Sequence, residues 1–293
     1  MPKTTAPLDK MVRQLARNRA DKVRQAFADN PSNRYSVMKQ MEDDLIGELT
    51  PMLTKTWKPS MRRGPRGLKD IFSSGRFKNQ LETGETAGMY DPFGRRALSD
   101  EYFYDLGTDP DWEKYGDNLH VSNAEREKYG YLKRPKKVDG EDDVDFYGEY
   151  DIRFRPGVRK HMTVTNGDSF DNWHSGHIFH STPIVPDDPE TYVNWVAAPE
   201  NFDTNFEGNP NWADEELFGK VLHDLKTYHR PTFRIRNAPY IEAQYHGQLT
   251  VDDIESITPA WTPKPTDDIM TQADEYGFKV IDPATGKCIY NCR

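Results

Sequence analysis

Residues 240–247, YIEAQYHG, alternate apolar and polar side chains, which is the pattern of a half-buried β-strand. Because successive side chains on a strand point to opposite faces, Glu242, Gln244 and His246 share one face. Ile241 and Ala243 share the other face. A carboxylate, an amide and an imidazole therefore face the same space, and we take them as candidate site residues.

The second half of the chain is predicted to be rich in strands. Strands are predicted in DIRFRP (151–156), KHMTVTNGDSF (160–170) and TFRIR (232–236), and EELFGKVLHDLKTY (215–228) has a helical pattern. The stretch 192–199 fits either a strand or the edge of a buried helix. Thr250 is placed to cap a short helix with Asp253 at its third position, and the last 30 residues predict a short helix and a hairpin. The fold class that follows is α+β.

The first part of the chain is predicted to be helical. Apolar residues recur at steps of three and four over residues 7–29, and a second such pattern runs to about residue 54. KPSMRRGPRG (58–67) predicts a loop, LKDIFSSG (68–75) a short helix, and residues 89–150 loops and short elements. We therefore expect a helical N-terminal lobe at 1–70 and a core at 71–293.

Charge is unevenly distributed along the 293 residues, whose net charge is −9. Residues 1–78 carry 17 Lys and Arg against 8 Asp and Glu, and the acidic remainder argues against a nucleic-acid partner. The basic front is suited to an acidic partner, an anionic ligand or the acidic body itself. No apolar run is long enough for a signal peptide or a transmembrane span, so we expect no membrane partner. The expected location is the producer's cytoplasm or a host cell reached by a specialised secretion route.

Two further segments carry polar side chains of the kind that bind ligands. TVTNGDSF holds Thr165, Asn166, Asp168 and Ser169 where a strand runs into a turn, and its alternative role is an ordinary Asx turn. GRFKNQLETG holds Arg76, Asn79 and Thr83, with Arg suited to bidentate phosphate contacts; the alternative is a surface turn with a capping glycine.

Histidine and cysteine spacings raise weaker possibilities. His174, His177 and His180 are three apart, which on a helix would allow a metal-dependent hydrolase site. Gly176 and Pro183 argue against a helix there, and we assign no metal ligand. Cys288 and Cys292 form either an exposed thiol pair or a small terminal disulfide.

In chain order the polar segments are an Arg, a Thr/Ser-bearing strand and a strand with a Glu. This order resembles the R-S-E class of mono-ADP-ribosyltransferases, which place an Arg on the first core strand, a Ser-Thr-Ser-like motif on the next and a catalytic Glu on a later strand. The blocks GRFKNQLETGETAG, EREKYGYL, RKHMTVTNGDSF and YIEAQYHGQLTVDDIESI resemble more closely the CteC-type bacterial effectors, over about residues 65–258. Those effectors transfer ADP-ribose from NAD to a threonine of ubiquitin.

The resemblance implies a split mixed β-sheet, NAD as the substrate, and an acceptor protein such as ubiquitin. It implies that Arg76 holds an NAD phosphate or ribose. It also implies that Thr165 and Ser169 contact the nicotinamide side, and that Glu242 stabilises the oxocarbenium-like transition state. Gln244 and His246 would orient the acid or the acceptor. These roles make Glu242, Arg76 and Ser169 the predicted catalytic residues.

Two departures from the family pattern bear on function. Arginine-modifying members carry Glu or Gln two residues before the catalytic Glu, and this chain has Tyr240 there, which favours a hydroxyl acceptor. If Gln244 held the catalytic position instead, the site would be inactive in transfer. A non-catalytic NAD-binding interaction protein therefore stays open beside the transferase and the metal-dependent hydrolase.

Overall fold

The structure is a computed structural model that describes residues 7–28, 35–84, 124, 126–133, 144, 147–166, 184–196, 241–259 and 267–292. The described α-helices are α1 (Pro7–Ala28), α2 (Tyr35–Pro51), α3 (Pro65–Ser74), α4 (Gln80–Thr83), α5 (Val193–Val196) and α6 (Asp267–Tyr276). A π-helical turn, Met52–Thr56, follows α2. Three 3₁₀ turns cover Pro156–His161, Pro189–Thr191 and Val251–Asp253.

Eight described strands form one sheet. They are β1 (Lys58–Arg63), β2 (Lys128–Lys133), β3 (Tyr150–Phe154), β4 (Met162–Asn166), β5 (Ile241–Tyr245), β6 (Ile254–Pro259), β7 (Lys279–Ile281) and β8 (Cys288–Tyr290). Their order is β4-β5-β2-β1-β3-β6-β7-β8, and each neighbouring pair is antiparallel except β6 and β7. The structure thus confirms an α+β fold with a mixed sheet and N-terminal helices.

One face of this sheet packs into the main hydrophobic core. Phe154 on β3 meets Phe77 and Tyr245 edge to face, with ring centroids 5.2 and 5.0 Å apart. The Tyr245 hydroxyl donates to the Ser60 carbonyl oxygen at 3.0 Å, across the intervening strand β2. Since side chains alternate along a strand, the neighbours of these core residues form the opposite, polar face.

Helix α1 lies against the segment 184–196. Arg13 pairs with Asp187 at 2.8 Å, Arg17 pairs with Asp188 at 2.6 Å, and Arg24 contacts Glu190 at 3.1 Å. Asn194 donates to the Ala16 carbonyl oxygen at 2.9 Å. At least part of the basic N-terminal region therefore binds the acidic remainder of the same chain. This is one of the three partners that the sequence left open for that region.

Several expectations about the elements are confirmed. The helix predicted at 7–29 is α1, the second helix is α2 with its π-helical turn, and the predicted helix at 68–75 is most of α3. Thr250 and Asp253 form the predicted capping box, and α6 with the antiparallel pair β7–β8 gives the C-terminal helix and hairpin. For the stretch 192–199, the described part contains the helical turn α5.

The loop predicted at 58–67 is wrong. Residues 58–63 form β1, which lies between β2 and β3 inside the sheet. Pro59 and three basic residues hide its alternation, because Pro normally signals an edge or a turn. The sheet therefore begins before residue 71, and the six-residue strand β2 is one of the short elements expected at 89–150.

Cys288 and Cys292 are joined by a disulfide, one of the two states left open for them. The predicted helix at 215–228 and strand at 232–236 lie outside the described residues. Within the part of the chain that the structure covers, every helix is too short or too polar to cross a membrane.

Candidate functional site

The polar face of β5 lies between β4 and β2. Glu242 is opposite Thr165 of β4 and Tyr131 of β2, and Gln244 is opposite Thr163 of β4. Glu242, Gln244 and His246 are 4, 0 and 3% exposed. The common face predicted from the alternation is therefore present, and it is buried.

Hydrogen bonds connect β5 with β4 across this face. Gln244 Nε2 lies 2.7 Å from Glu242 Oε1 and 3.0 Å from Thr165 Oγ1. Thr163 Oγ1 lies 3.0 Å from Gln244 Oε1 and 2.9 Å from His246 Nε2. The five side chains form one connected network, with the Glu242 carboxylate at one end and the His246 ring at the other.

A second cluster of buried polar groups adjoins Glu242 on the β2 side. The Tyr131 hydroxyl donates to Asp151 Oδ1 at 2.8 Å, and Lys133 pairs with the other oxygen of Asp151. Arg62 on β1 is opposite Asp151 in the register, and its positive charge acts on Tyr131. Burial, reinforced by the Asp151 charge, raises the pKa of Tyr131 well above its usual value. Tyr131 is therefore a neutral phenol beside Glu242.

Lys128 stabilises the end of the site where β5 finishes. Its buried ammonium donates to the carbonyl oxygens of Ala124 at 2.6 Å, Arg126 at 2.8 Å and Gly247 at 2.7 Å. An ammonium has three donors, so these contacts use its full capacity. Lys128 thereby connects the segment before β2 with the turn after His246.

Arg76, Asn79 and Thr83 lie in the segment from α3 to α4. Arg76 is outside all eight strands; its guanidinium contacts Glu82 Oε1 at 2.6 Å, and its backbone bridges to Thr250. Asn79 caps α4 and donates to the Arg126 carbonyl oxygen at 3.3 Å, while the Thr83 hydroxyl donates back to the Asn79 carbonyl oxygen at 3.1 Å. These residues lie beside the chain that leaves β5, and Asn79 acts as a helix cap.

The remaining predicted residues are only partly described. Thr165 joins the network, and the backbone of Asn166 ends β4 opposite Ile241. Asp168 and Ser169 lie outside the described residues, as do His174, His177 and His180. Among the residues that the structure describes, no three His, Cys, Asp or Glu side chains are grouped to hold a metal ion.

Sequence reasoning missed four residues beside Glu242, all on strands β1 to β3. A signal was available for two of them, since Asp151 alternates with apolar residues in YDIRF and Tyr131 lies in EREKYGYL. Gly130 and Lys128 break the alternation of β2, and the strand that carries Arg62 was taken for a loop. The missed residues are Arg62, Tyr131, Lys133 and Asp151.

The arrangement can hold a negative charge in a fixed direction. A buried carboxylate that accepts from an amide keeps its orientation, and in a dry site it attracts a developing cation strongly. Neighbouring hydroxyl groups on β4 and β2 supply further hydrogen-bonding partners. This chemistry suits the departure of a leaving group from a sugar carbon.

Sequence similarity relates this chain to a bacteriophage protein. No protein-family model matches the chain. The chain is similar to the protein called Gene 2 protein of Mycobacterium phage D29, with 25% identity over 254 residues. That alignment covers 85% of this chain and 80% of the phage protein.

Proposed function

We propose that the protein is a mono-ADP-ribosyltransferase that moves ADP-ribose from NAD to a hydroxyl side chain of a protein. The observation that carries this proposal is the position of Glu242. Its buried carboxylate lies between Thr165 and Tyr131 and accepts a hydrogen bond from Gln244. A carboxylate so held is suited to stabilise an oxocarbenium-like sugar.

The order of the strands supports the same proposal. In the class that the sequence resembles, the Arg is on the first core strand, a hydroxyl motif on the next and the Glu on a later strand. Here β1, β4 and β5 carry Arg62, Thr165 and Glu242 in chain order, and β4 and β5 are neighbours in the sheet. We include Arg62 as a candidate for the arginine role beside Arg76, because Arg62 is on the first strand and belongs to the Glu242 side of the sheet. The split of the sheet and an NAD cleft are part of this proposal.

The proposed reaction is dissociative. The bond between the nicotinamide nitrogen and the anomeric carbon of the ribose breaks, and nicotinamide leaves with the electron pair. Glu242 accepts a hydrogen bond from the ribose and stabilises the positive charge on the sugar. The acceptor hydroxyl oxygen then bonds to the anomeric carbon, and its proton passes to water.

Access to Glu242 is a further requirement of this mechanism. Glu242 as a whole is only 4% exposed, so binding of NAD at its carboxylate requires the surrounding chain to rearrange. Enzymes commonly couple such opening and closing to substrate binding and product release. We therefore include an opening step in the proposed catalytic cycle.

The test is a transfer assay with labelled NAD. Purified protein is incubated with ubiquitin, with a eukaryotic lysate and with a mycobacterial lysate, the last because a similar protein belongs to a mycobacteriophage. Glu242→Gln is the matched control, since it keeps the size of the side chain and removes its charge. We expect one or more proteins to become labelled, and we expect the rate of labelling to fall by a factor of about 10²–10⁴ with the Glu242→Gln variant.

The outcomes separate the candidate functions. Label on ubiquitin would identify ubiquitin as the acceptor, as the resemblance implies. Label on another protein would support the transferase activity with a different acceptor. Label that is undiminished in Glu242→Gln contradicts the role of Glu242. NAD binding without transfer or hydrolysis would indicate the non-catalytic binding protein instead.

A further inference from the structure

The hydrogen bonds between β4 and β5 have a direction that can be worked out by counting donors. The network contains an imidazole, two hydroxyls, an amide and a carboxylate: His246, Thr163, Thr165, Gln244 and Glu242. A carboxylate only accepts, an amide oxygen only accepts and an amide nitrogen only donates. With Glu242 ionised, these limits leave one consistent arrangement of protons.

The amide of Gln244 is fixed first. Its nitrogen lies 2.7 Å from Glu242 Oε1 and 3.0 Å from Thr165 Oγ1, so its two N–H groups are directed at these oxygens. The reversed amide would place a carbonyl oxygen against the carboxylate, where neither group can donate. Gln244 therefore presents its oxygen to Thr163, 3.0 Å away.

Thr163 then determines the tautomer of His246. The single hydroxyl proton of Thr163 is given to Gln244 Oε1, so the contact of 2.9 Å with His246 Nε2 needs a proton from the ring. His246 must carry its proton on Nε2. If Nε2 carried no proton, Thr163 would donate its hydroxyl proton to the ring. Gln244 Oε1 would then face Thr163 Oγ1 with no proton between the two oxygens.

We propose that His246, through Thr163, holds Gln244 in the orientation that directs an N–H group at Glu242. His246, Thr163 and Gln244 are positioning residues in this scheme. Its catalytic consequence rests on the proposed function of Glu242, whereas the direction of the hydrogen bonds does not. The scheme explains why the acid, the amide and the imidazole stand two residues apart along β5 and the residue that follows it.

The experiment is NMR spectroscopy of the full chain with ¹⁵N in its eight histidine rings. The signal of His246 is assigned as the one that is absent from the spectrum of the His246→Gln variant. If that variant does not fold, the signal is assigned by its nuclear Overhauser effect to the Thr163 methyl group. We expect a protonated Nε2, with or without a proton on Nδ1. A proton on Nδ1 alone would overturn the proposal, because Nε2 could then only accept.

A pair of variants supplies a second readout. Thr163→Val removes the hydroxyl without changing the size of the side chain, and Thr163→Ser keeps the hydroxyl. The ring protonation and the Gln244 side-chain amide signals should change in Thr163→Val and stay near wild type in Thr163→Ser. Equal changes in both variants, or in neither, would contradict a path through the hydroxyl.

The catalytic arm uses the same pair. We expect kcat for ADP-ribose transfer to fall about ten- to a hundredfold in Thr163→Val, with little change in KM for NAD, and to recover in Thr163→Ser. If Nε2 of His246 is protonated but the protein has no transfer activity, the proposed function is rejected and the hydrogen-bond chain stands. If the protein transfers ADP-ribose but Nε2 carries no proton, the hydrogen-bond chain is rejected and the proposed function stands.

Discussion

Tyr131 and Glu242 are directly opposite each other on neighbouring antiparallel strands, and the Tyr131 hydroxyl donates to the buried Asp151 at 2.8 Å. A cross-strand pair of this kind brings the two Cβ atoms to about 5 Å. The carboxylate of Glu242 thus borders a second network that contains a carboxylate, a phenol and two cations. A change in either network should affect the other, and four predictions follow from these contacts and from those that hold the fold.

Tyr131→Phe should lower stability most at neutral pH. It removes a hydrogen bond to the buried Asp151, which should lower the free energy of unfolding by about 1.5–3 kcal/mol. Burial and the Asp151 charge raise the pKa of Tyr131, so the folded protein keeps the phenolic proton when the unfolded chain loses it near pH 10. The stabilisation from that proton is complete below about pH 10 and is lost as pH rises towards the folded pKa.

Urea unfolding from pH 8 to pH 11 tests this prediction. The difference in unfolding free energy between wild type and Tyr131→Phe should stay constant up to about pH 10 and narrow above it. Wild type should lose up to about 1.4 kcal/mol per pH unit more than the variant there. A difference that stays constant to pH 11 would show that the phenol titrates alike in the folded and unfolded chains.

Arg62→Lys should weaken transfer more than Arg76→Lys. Arg62 lies on the central strand β1 with its charge acting on Tyr131, whereas Arg76 is outside the strands and contacts Glu82. Lysine keeps the charge but loses the bidentate geometry. We expect kcat/KM for NAD to fall about a hundredfold in Arg62→Lys and less than about threefold in Arg76→Lys. Melting temperatures of both variants separate lost activity from lost stability, and the opposite order of effects would return the arginine role to Arg76.

Gly130→Ala should destabilise the centre of the sheet. A Cβ at this position would lie 2.3 Å from the Ser60 carbonyl oxygen and 2.7 Å from Cε2 of Tyr245. Backbone and a packed ring cannot both yield, so we expect the unfolding free energy to fall by about 1–3 kcal/mol. The matched control is Gly47→Ala, on the exposed side of α2 with no atom within 4 Å of its Cβ, which should gain about 0.5–1 kcal/mol. Urea denaturation measures both, and a neutral Gly130→Ala would mean that β1 and β2 can move apart.

Arg24 and Arg17 should differ in what they contribute to the docking of α1. Arg24 contacts Glu42, which is 2% exposed, and the hydrogen bond and charge of Glu42 outweigh burial to raise the pKa of Arg24. Arg24→Met leaves that buried carboxylate with Lys39, 3.7 Å away, and should cost about 3 kcal/mol. Arg17 is 58% exposed in its pair with Asp188, so Arg17→Met should cost less than about 1 kcal/mol.

Chemical denaturation at low and high salt checks the comparison. Added salt should reduce the effect of Arg17→Met further, because an exposed pair is screened, and should change that of Arg24→Met little. Equal losses for the two variants would show that Glu42 is not desolvated when α1 docks.

The elements predicted best from sequence are those with an uninterrupted period. α1 shows its three- and four-residue steps, and β4 and β5 show a clean alternation, so the shared face of Glu242 and Gln244 follows from the sequence. β1 and β2 do not follow from the sequence, because Pro59 and Gly130 are locally unfavourable in a strand. Only the pairing with neighbouring strands compensates for this unfavourable local preference. Arg62 was therefore out of reach, and the local signals at Tyr131 and Asp151 do not show that the two residues meet across the sheet. The links between β4 and β5 depend on pairing across more than 70 residues, which no local pattern encodes.

The contacts of α1 also bear on how the chain is made. The partners of Arg13, Arg17 and Arg24 in the segment 187–190 come 166 to 174 residues later in the chain. At ordinary rates of synthesis, α1 leaves the ribosome roughly 10–30 s before this segment exists. During that interval α1 can pair with α2 through Arg24 and Glu42, which are 18 residues apart, whereas the contacts of Arg13 with Asp187 and of Arg17 with Asp188 cannot yet form. The docking of α1 therefore has two stages, the first against α2 and the second against the segment 187–190 once that segment has been made.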